Sequence, residues 1–220
     1  MTLTLALAHT WDGAAIPDNA VVQLSEIPEG LLLRLWSPWR GDPSPPGPPG
    51  PTDRLWEHEV VELFLIGAGS TYLEVEIGPL GHHLVLDLEG IRRPRRTHLP
   101  LDVAVRRFGA DAFTAEALLP TAWLPPKPWR ANAYRIHGPP DDRRYLAHAP
   151  LPGPGPDFHQ PHRFPGVTVG PSAGLVDDVR AAVLALRPWP VQVERVGDDW
   201  AASLHASLTA TDDATRPNVD

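Results

Sequence analysis

Residues 55–88, LWEHEVVELFLIGAGSTYLEVEIGPLGHHLVLDL, carry three successive runs in which side chains alternate with a period of two. That period belongs to β-strands, because neighbouring Cβ atoms of a strand point to opposite faces, whereas a helix repeats every 3.6 residues. In the second run Tyr72, Glu74 and Glu76 share one face, and Leu73, Val75 and Ile77 share the other. In the third, Leu84, Leu86 and Leu88 stand opposite His83, Val85 and Asp87. Glu62 lies between Val60 and Phe64 on the face of the first run, which suggests a half-buried carboxyl. With Glu59 and His82 at strand ends, the block places acids and histidines where a purely structural sheet would carry threonine and serine.

The same reading extends along the chain. Residues 3–9 alternate, and 21–24, 31–36, 101–108, 112–119 and 131–137 are further strand candidates. The 28 prolines and 18 glycines fall between short apolar runs, which makes the fold all-β. The spacing favours a two-sheet antiparallel β-sandwich over βαβ units. Residues 41–53, GDPSPPGPPGPTD, form a long surface loop, since proline has no N–H to offer a ladder. Residues 1–170 thus read as one ligand-binding-like sandwich domain. Leu175, Val176, Val179, Ala182, Val183 and Leu186 then follow helical spacing, and 190–196 and 200–208 read as a hairpin. Residues 171–209 are therefore expected to form a small αββ appendage, followed by a polar, disordered tail at 210–220.

Composition excludes several function classes. The net charge is −8, and Lys127 is the only lysine among 19 basic side chains, with no basic stripe to track a nucleic-acid backbone. The cluster Arg92, Arg93, Arg95 and Arg96 reads as a solvated turn. Without cysteine there is no disulfide, thiolate zinc site, iron–sulfur cluster or nucleophilic thiol. The amino-terminal run lacks a basic segment and alternates too strictly for a signal peptide, and no apolar stretch reaches membrane-spanning length. The expectation is a soluble, cytoplasmic protein.

Several strings resemble an uncharacterised protein family of vertebrates and bacteria: HTWDG at 9–13, LWEHEVVELFL at 55–65, YLEVEIGPLGHHLVLDL at 72–88, LLP ending at Pro120, NAYRIHG at 132–138 and PDFH at 156–159. That family looks like a DOMON-like β-sandwich of the carbohydrate-binding module family 9 type. The resemblance spans residues 9–165 and implies that fold together with carbohydrate binding. It departs from the family's Pro-His-Gly pattern at Pro79-Leu80-Gly81, where Leu80 takes the place of a histidine. Family-9 modules use calcium structurally, so the resemblance also makes calcium a candidate. Some DOMON-like domains hold haem through methionine or histidine, but Met1 is the only methionine, which argues against Met/His ligation.

The carboxylates of Glu74 and Glu76, two apart on one face, come within about 6–7 Å, a repulsion of roughly 2.5 kcal/mol at an effective dielectric near 20. A covered face needs a counter-charge, and Arg135 and His137, alternating on a later strand, are candidates for it. Eight tryptophans offer sugar-stacking surfaces; Trp36, Trp39 and Trp56 flank the proline loop, while Trp11 reads as a plug in the HTWDG turn. The ligand-binding set is therefore Trp56, Tyr72, Glu74, Glu76, Arg135 and His137, in a non-catalytic domain that binds a carbohydrate or similar polar small molecule. One alternative is a small metal-assisted hydrolase or isomerase, with Glu62 and Glu76 as acid and base and His83, His137, Asp157 and His159 as metal ligands. A second alternative is a protein-interaction module that self-associates through the appendage. No GxSxG, P-loop or dinucleotide fingerprint is present.

Overall fold

The computed structural model describes residues 2–171. The expected helix, hairpin and tail beyond Pro171 lie outside the described residues. Twelve strands are described: β1 Leu3–Thr10, β2 Ala15–Ile27, β3 Gly30–Pro38, β4 Val60–Ile66, β5 Thr71–Ile77, β6 His83–Glu89, β7 Pro94–Arg96, β8 Val103–Phe108, β9 Ala112–Pro120, β10 Trp129–His137, β11 Arg144–Ala147 and β12 Gly166–Val167. The fold is all-β, as the alternation predicts. Among the described residues no helix is long and apolar enough to cross a membrane.

The strands form one antiparallel ladder in the order β7-β6-β5-β4-β10-β11-β1-β2-β3-β9-β8, with β12 on β10. Two sheets were expected from the sequence; the ladder is continuous, although only two residue pairs, His9 with Ala147 and Thr10 with Leu146, join β1 to β11. The sheet curls so that both halves supply one core. Val61, Leu63, Leu73, Val75 and Val85 from the first half pack with Leu5, Leu24, Leu33, Ala117 and Leu119 from the second. Each such valine or leucine side chain contributes roughly 1.5–3 kcal/mol when fully buried, so this shared core holds the curl closed.

β4 is buried on both faces over its whole length. Its odd-numbered residues enter the shared core, while Val60, Phe64 and Ile66 turn outward into two smaller clusters. The outward clusters are roofed by Leu151, Phe158 and Phe164 of the segment after β11 and by Leu55 of a 3-10 turn at Leu55–Glu57. Covering this outer face is what makes a site possible.

The proline loop does join the sheet at one point, contrary to expectation. Pro51 bridges His83, with the Thr52 N–H donating to the His83 carbonyl and the His83 N–H to the Gly50 carbonyl. The bonds belong to the residues either side of Pro51, so its missing N–H is no obstacle.

Candidate functional site

The register of four strands assembles the outer face. Glu62 pairs with Glu76 and Phe64 with Glu74 across β4 and β5. Glu74 pairs with Leu86 and Glu76 with Leu84 across β5 and β6, and Tyr134 pairs with Glu62 across β10 and β4. Glu62, Glu74 and Glu76 therefore form a cluster of carboxyls on one face. The apolar clusters around Phe64 and around Leu84 lie on either side of them.

All three acids are buried, at 2%, 4% and 0% relative exposure for Glu62, Glu74 and Glu76. Oε2 of Glu74 and both carboxyl oxygens of Glu76 have no hydrogen-bond partner. The Trp56 backbone amide approaches Glu76 without reaching hydrogen-bond geometry. Burial pushes the Glu74 carboxyl up to about 8, with the Arg92 guanidinium pulling against it. Glu62 is held well above the usual carboxylate range by burial and then by the Glu74 charge, with Arg143 opposing. Glu76 is raised by burial and by both neighbouring glutamates. These shifts favour protons on the cluster at neutral pH, since desolvation disfavours the charged form and like charges add to it.

Glu62 and Glu74 open into a cavity of about 480 Å³, within the size range of small-molecule sites. Aromatic side chains wall it: Trp56, 44% exposed at the mouth, with Phe64, Tyr145 and Phe158. Phe158 stacks on Tyr134 with ring centroids 3.8 Å apart, which fixes its orientation.

His159 closes one side. Its Nδ1 lies 2.8 Å from the Tyr72 hydroxyl, and that oxygen also accepts the Arg92 N–H at 3.0 Å. The Tyr72 hydroxyl is buried, and among the described residues His159 Nδ1 is the acceptor offered to its proton, so we assign the hydroxyl as donor to Nδ1. The imidazole is therefore the tautomer with hydrogen on Nε2, the atom 3.9 Å from Glu74 Oε2. Burial first, and then the Arg92 charge, pull the His159 pKa down to about 4, so the ring is neutral at pH 7. Asp157 accepts the His159 backbone N–H at 3.0 Å and pairs with Arg92 at 2.8 Å, which anchors the loop.

The predicted ligand-binding residues thus divide. Trp56 and Glu74 line the cavity, while Tyr72 and Glu76 stand on the same face of β5 as Glu74 without lining it. Arg135 and His137 do not complement the glutamates. Arg135 pairs in register with Val61, whose partner Ile77 faces the shared core, so both basic side chains lie on the opposite face of the sheet. There Arg135, fully buried, donates to the Pro38 carbonyl and to Glu59 Oε1 at 3.3 Å, linking β10 to the end of β3. Trp36 is buried and Trp39 lies under the Arg107 guanidinium at 4.9 Å, so neither joins Trp56 in a platform.

The predicted metal set is not assembled either. His83 is on the core-facing side of β6 with its Nδ1 at 3.1 Å from the Gly81 carbonyl, His137 is on the Arg135 face, and only Asp157 and His159 are neighbours. Among the described residues no three acid or histidine side chains converge to hold a metal ion. Of the predicted acid and base, Glu62 reaches the cavity while Glu76 lies behind it. The arginine cluster is more than a solvated turn: Arg95 and Arg96 clamp the buried Asp87 at 2.8 and 2.7 Å, and Arg92 reaches the cavity wall. Sequence reasoning missed Phe158, Tyr145 and Arg92; the PDFH string was the one signal that pointed near the first of them.

No family profile matches the chain. A solved structure from Bacteroides uniformis, that of a candidate carbohydrate-binding protein, superposes with a TM-score of 0.56 and 16% identity, covering 67% of this chain and 76% of that one. At that identity the likeness speaks to the fold. Closer in sequence are the human UPF0462 protein C4orf33, 38% identical over 163 residues, and its mouse homologue, 39% identical over 168. These alignments cover 70% and 72% of this chain and 81% and 87% of the two relatives. The zebrafish homologue is 36% identical over 173 residues, 74% of this chain and 87% of the relative. Sharing such identity over most of each relative's length, the chain belongs to the UPF0462 family.

Proposed function

We propose that this domain binds a carbohydrate or closely related polyhydroxylated small molecule, without catalysis, in the cavity between Trp56 and the Glu62–Glu74 pair. One observation carries the reading: aromatic walls and the buried Glu74 carboxyl, with one oxygen unpartnered, face the same space, and Glu62 lines it beside them. A sugar presents C–H faces that pack on aromatic rings and hydroxyls that both donate and accept. A protonated carboxyl does the same, and an orphaned buried acceptor gains most from such a partner. The fold likeness to a candidate carbohydrate-binding protein supports this reading. Calorimetric titration with a panel of mono- and disaccharides, in the presence of calcium, tests it. The expected result is saturable binding that weakens at least about 10-fold in both Trp56→Ala and Glu74→Gln; a panel without binding overturns the reading.

A hydrolase reading has one observation in its favour. Glu74, raised to about 8, is a carboxylic acid with His159 beside it, the protonation state a general acid requires near neutral pH. Release of a chromophore from aryl glycosides that disappears in Glu74→Gln supports it. Intact substrates after prolonged incubation with saturating protein exclude it for that substrate class.

A further inference from the structure

We infer that the ligand carries an ammonium group, an amino sugar with a free amine, and that its nitrogen sits between Glu62 and Glu74. The inference rests on the carbohydrate-binding reading and names the ligand's charge. Three features point to a cation of organic size. The first is the acid cluster itself: among the described residues Arg92 and Arg143 act on Glu74 and Glu62 only from a distance, and the ion-pair approach to the cluster is that of His159 to Glu74 at 3.9 Å. The second is that Glu74, only 4% exposed, lines the cavity with Oε2 unpartnered, a buried acceptor directed into the space. The third is the wall. Trp56, Tyr145 and Phe158 line it, and aromatic rings attract cations through their quadrupoles as well as packing against sugar C–H groups.

The positive groups around the cavity are already engaged. Arg92 pairs with Asp157, and Arg143 donates to the carbonyls of Gly138, Trp56 and His58. The carboxyls do not converge on a metal-sized centre, which leaves the larger ammonium with its three donors as the better fit. Tyr72 and Tyr134, buried on this face, are raised by burial and stay neutral. His159 is neutral as well, so it does not compete for the carboxylates. An ammonium ligand then ionises carboxyls that burial keeps protonated, and binding expels protons to solvent. A neutral sugar leaves them in place.

Calorimetry at pH 6.5, repeated in two buffers of different ionisation enthalpy, reads both affinity and proton release. The probes are the glucosamine disaccharide, its N-acetylated form, the matching glucose disaccharide and propylamine. The expected result is binding of the glucosamine disaccharide at least about 10-fold tighter than the other two sugars, with net proton release. Release is expected to fall, with affinity, in both Glu62→Gln and Glu74→Gln, near-isosteric changes that remove like charges. Equal binding of the N-acetylated or glucose disaccharide without proton release overturns the ammonium inference and leaves the carbohydrate reading standing. Silence from all three sugars, with or without binding of propylamine, overturns both.

Discussion

Glu62 and Glu76 face one another as register partners across β4 and β5, both buried, and after burial itself the Glu62 charge raises the affinity of Glu76 for a proton. Opposed residues of an antiparallel pair have Cβ atoms about 4.5–5.5 Å apart, and like charges there are destabilising. Glu76 lies behind the cavity with both carboxyl oxygens unpartnered. Replacing it by glutamine removes the repulsion while keeping shape and polarity. The expected outcome for Glu76→Gln is a Tm several degrees above the parent at pH 8 and a much smaller difference at pH 5, measured by thermal unfolding at both values.

The whole cluster imposes a pH dependence on folding stability. A carboxyl whose folded pKa exceeds its unfolded one binds more protons when folded. Its stabilisation is therefore complete below the unfolded value near 4.5 and is lost as pH rises through the folded value, about 8 for Glu74. His159 acts in the opposite sense. With its pKa lowered from 6.5 to about 4, its contribution is present above 6.5 and lost as pH falls through 4. The two oppose each other between about 4.5 and 6.5, so the clean window lies above. Chemical denaturation is expected to show stability falling between pH 6.5 and 8.5, with the fall reduced in Glu74→Gln. A flat profile in that window would show that the carboxyls are ionised in the folded protein.

Much of this was legible in the sequence because β-structure writes its faces locally. Alternation separated Tyr72, Glu74 and Glu76 from Leu73, Val75 and Ile77, and the structure keeps that division. What alternation could not say is that both faces of β4 are covered, since the roof comes from Phe158 and Phe164, far along the chain. Nor could it set the parity of β10 against β4. Arg135 lies on the row of Ala131 and Ala133, Tyr134 on the row of Glu62, and a shift of one residue would have exchanged them. Short β11, Arg144–Ala147, was missed because four residues beside Pro139, Pro140 and two aspartates carry no periodic signal.

Tyr72 sets the state of His159, and this is measurable without a ligand. In Tyr72→Phe the imidazole loses the proton donated to Nδ1, and the Arg92 amide loses its acceptor. Nitrogen-resolved NMR of the parent at pH 7 is expected to show His159 as a single neutral tautomer protonated on Nε2. The variant is expected to show a mixture, with stability lower by about 1–3 kcal/mol, the usual penalty for stranding buried polar groups. A parent spectrum with the proton on Nδ1 would reverse the assigned direction of the Tyr72–His159 bond.

Arg135 provides the contrast, because its role lies on the opposite face. Glu59 is 3% exposed and is stabilised as an anion by Arg135 and by the Arg40 N–H at 2.8 and 3.0 Å, while burial raises its pKa. Removing the guanidinium in Arg135→Met leaves that carboxyl buried beside an apolar chain, a loss of about 3–5 kcal/mol for a broken buried pair. Glu59 can escape by taking a proton, so the destabilisation is expected to shrink as pH falls from 7 to 4.5. Adding Glu59→Gln to Arg135→Met is expected to recover part of the loss at pH 7, because the unpaired charge is gone. Wherever the variants remain folded, their affinity for a cavity ligand should match the parent, since the sheet separates Arg135 from Glu62 and Glu74. A large loss of affinity in a folded Arg135→Met protein would return Arg135 to the binding site and displace the cavity beneath Trp56 as its location.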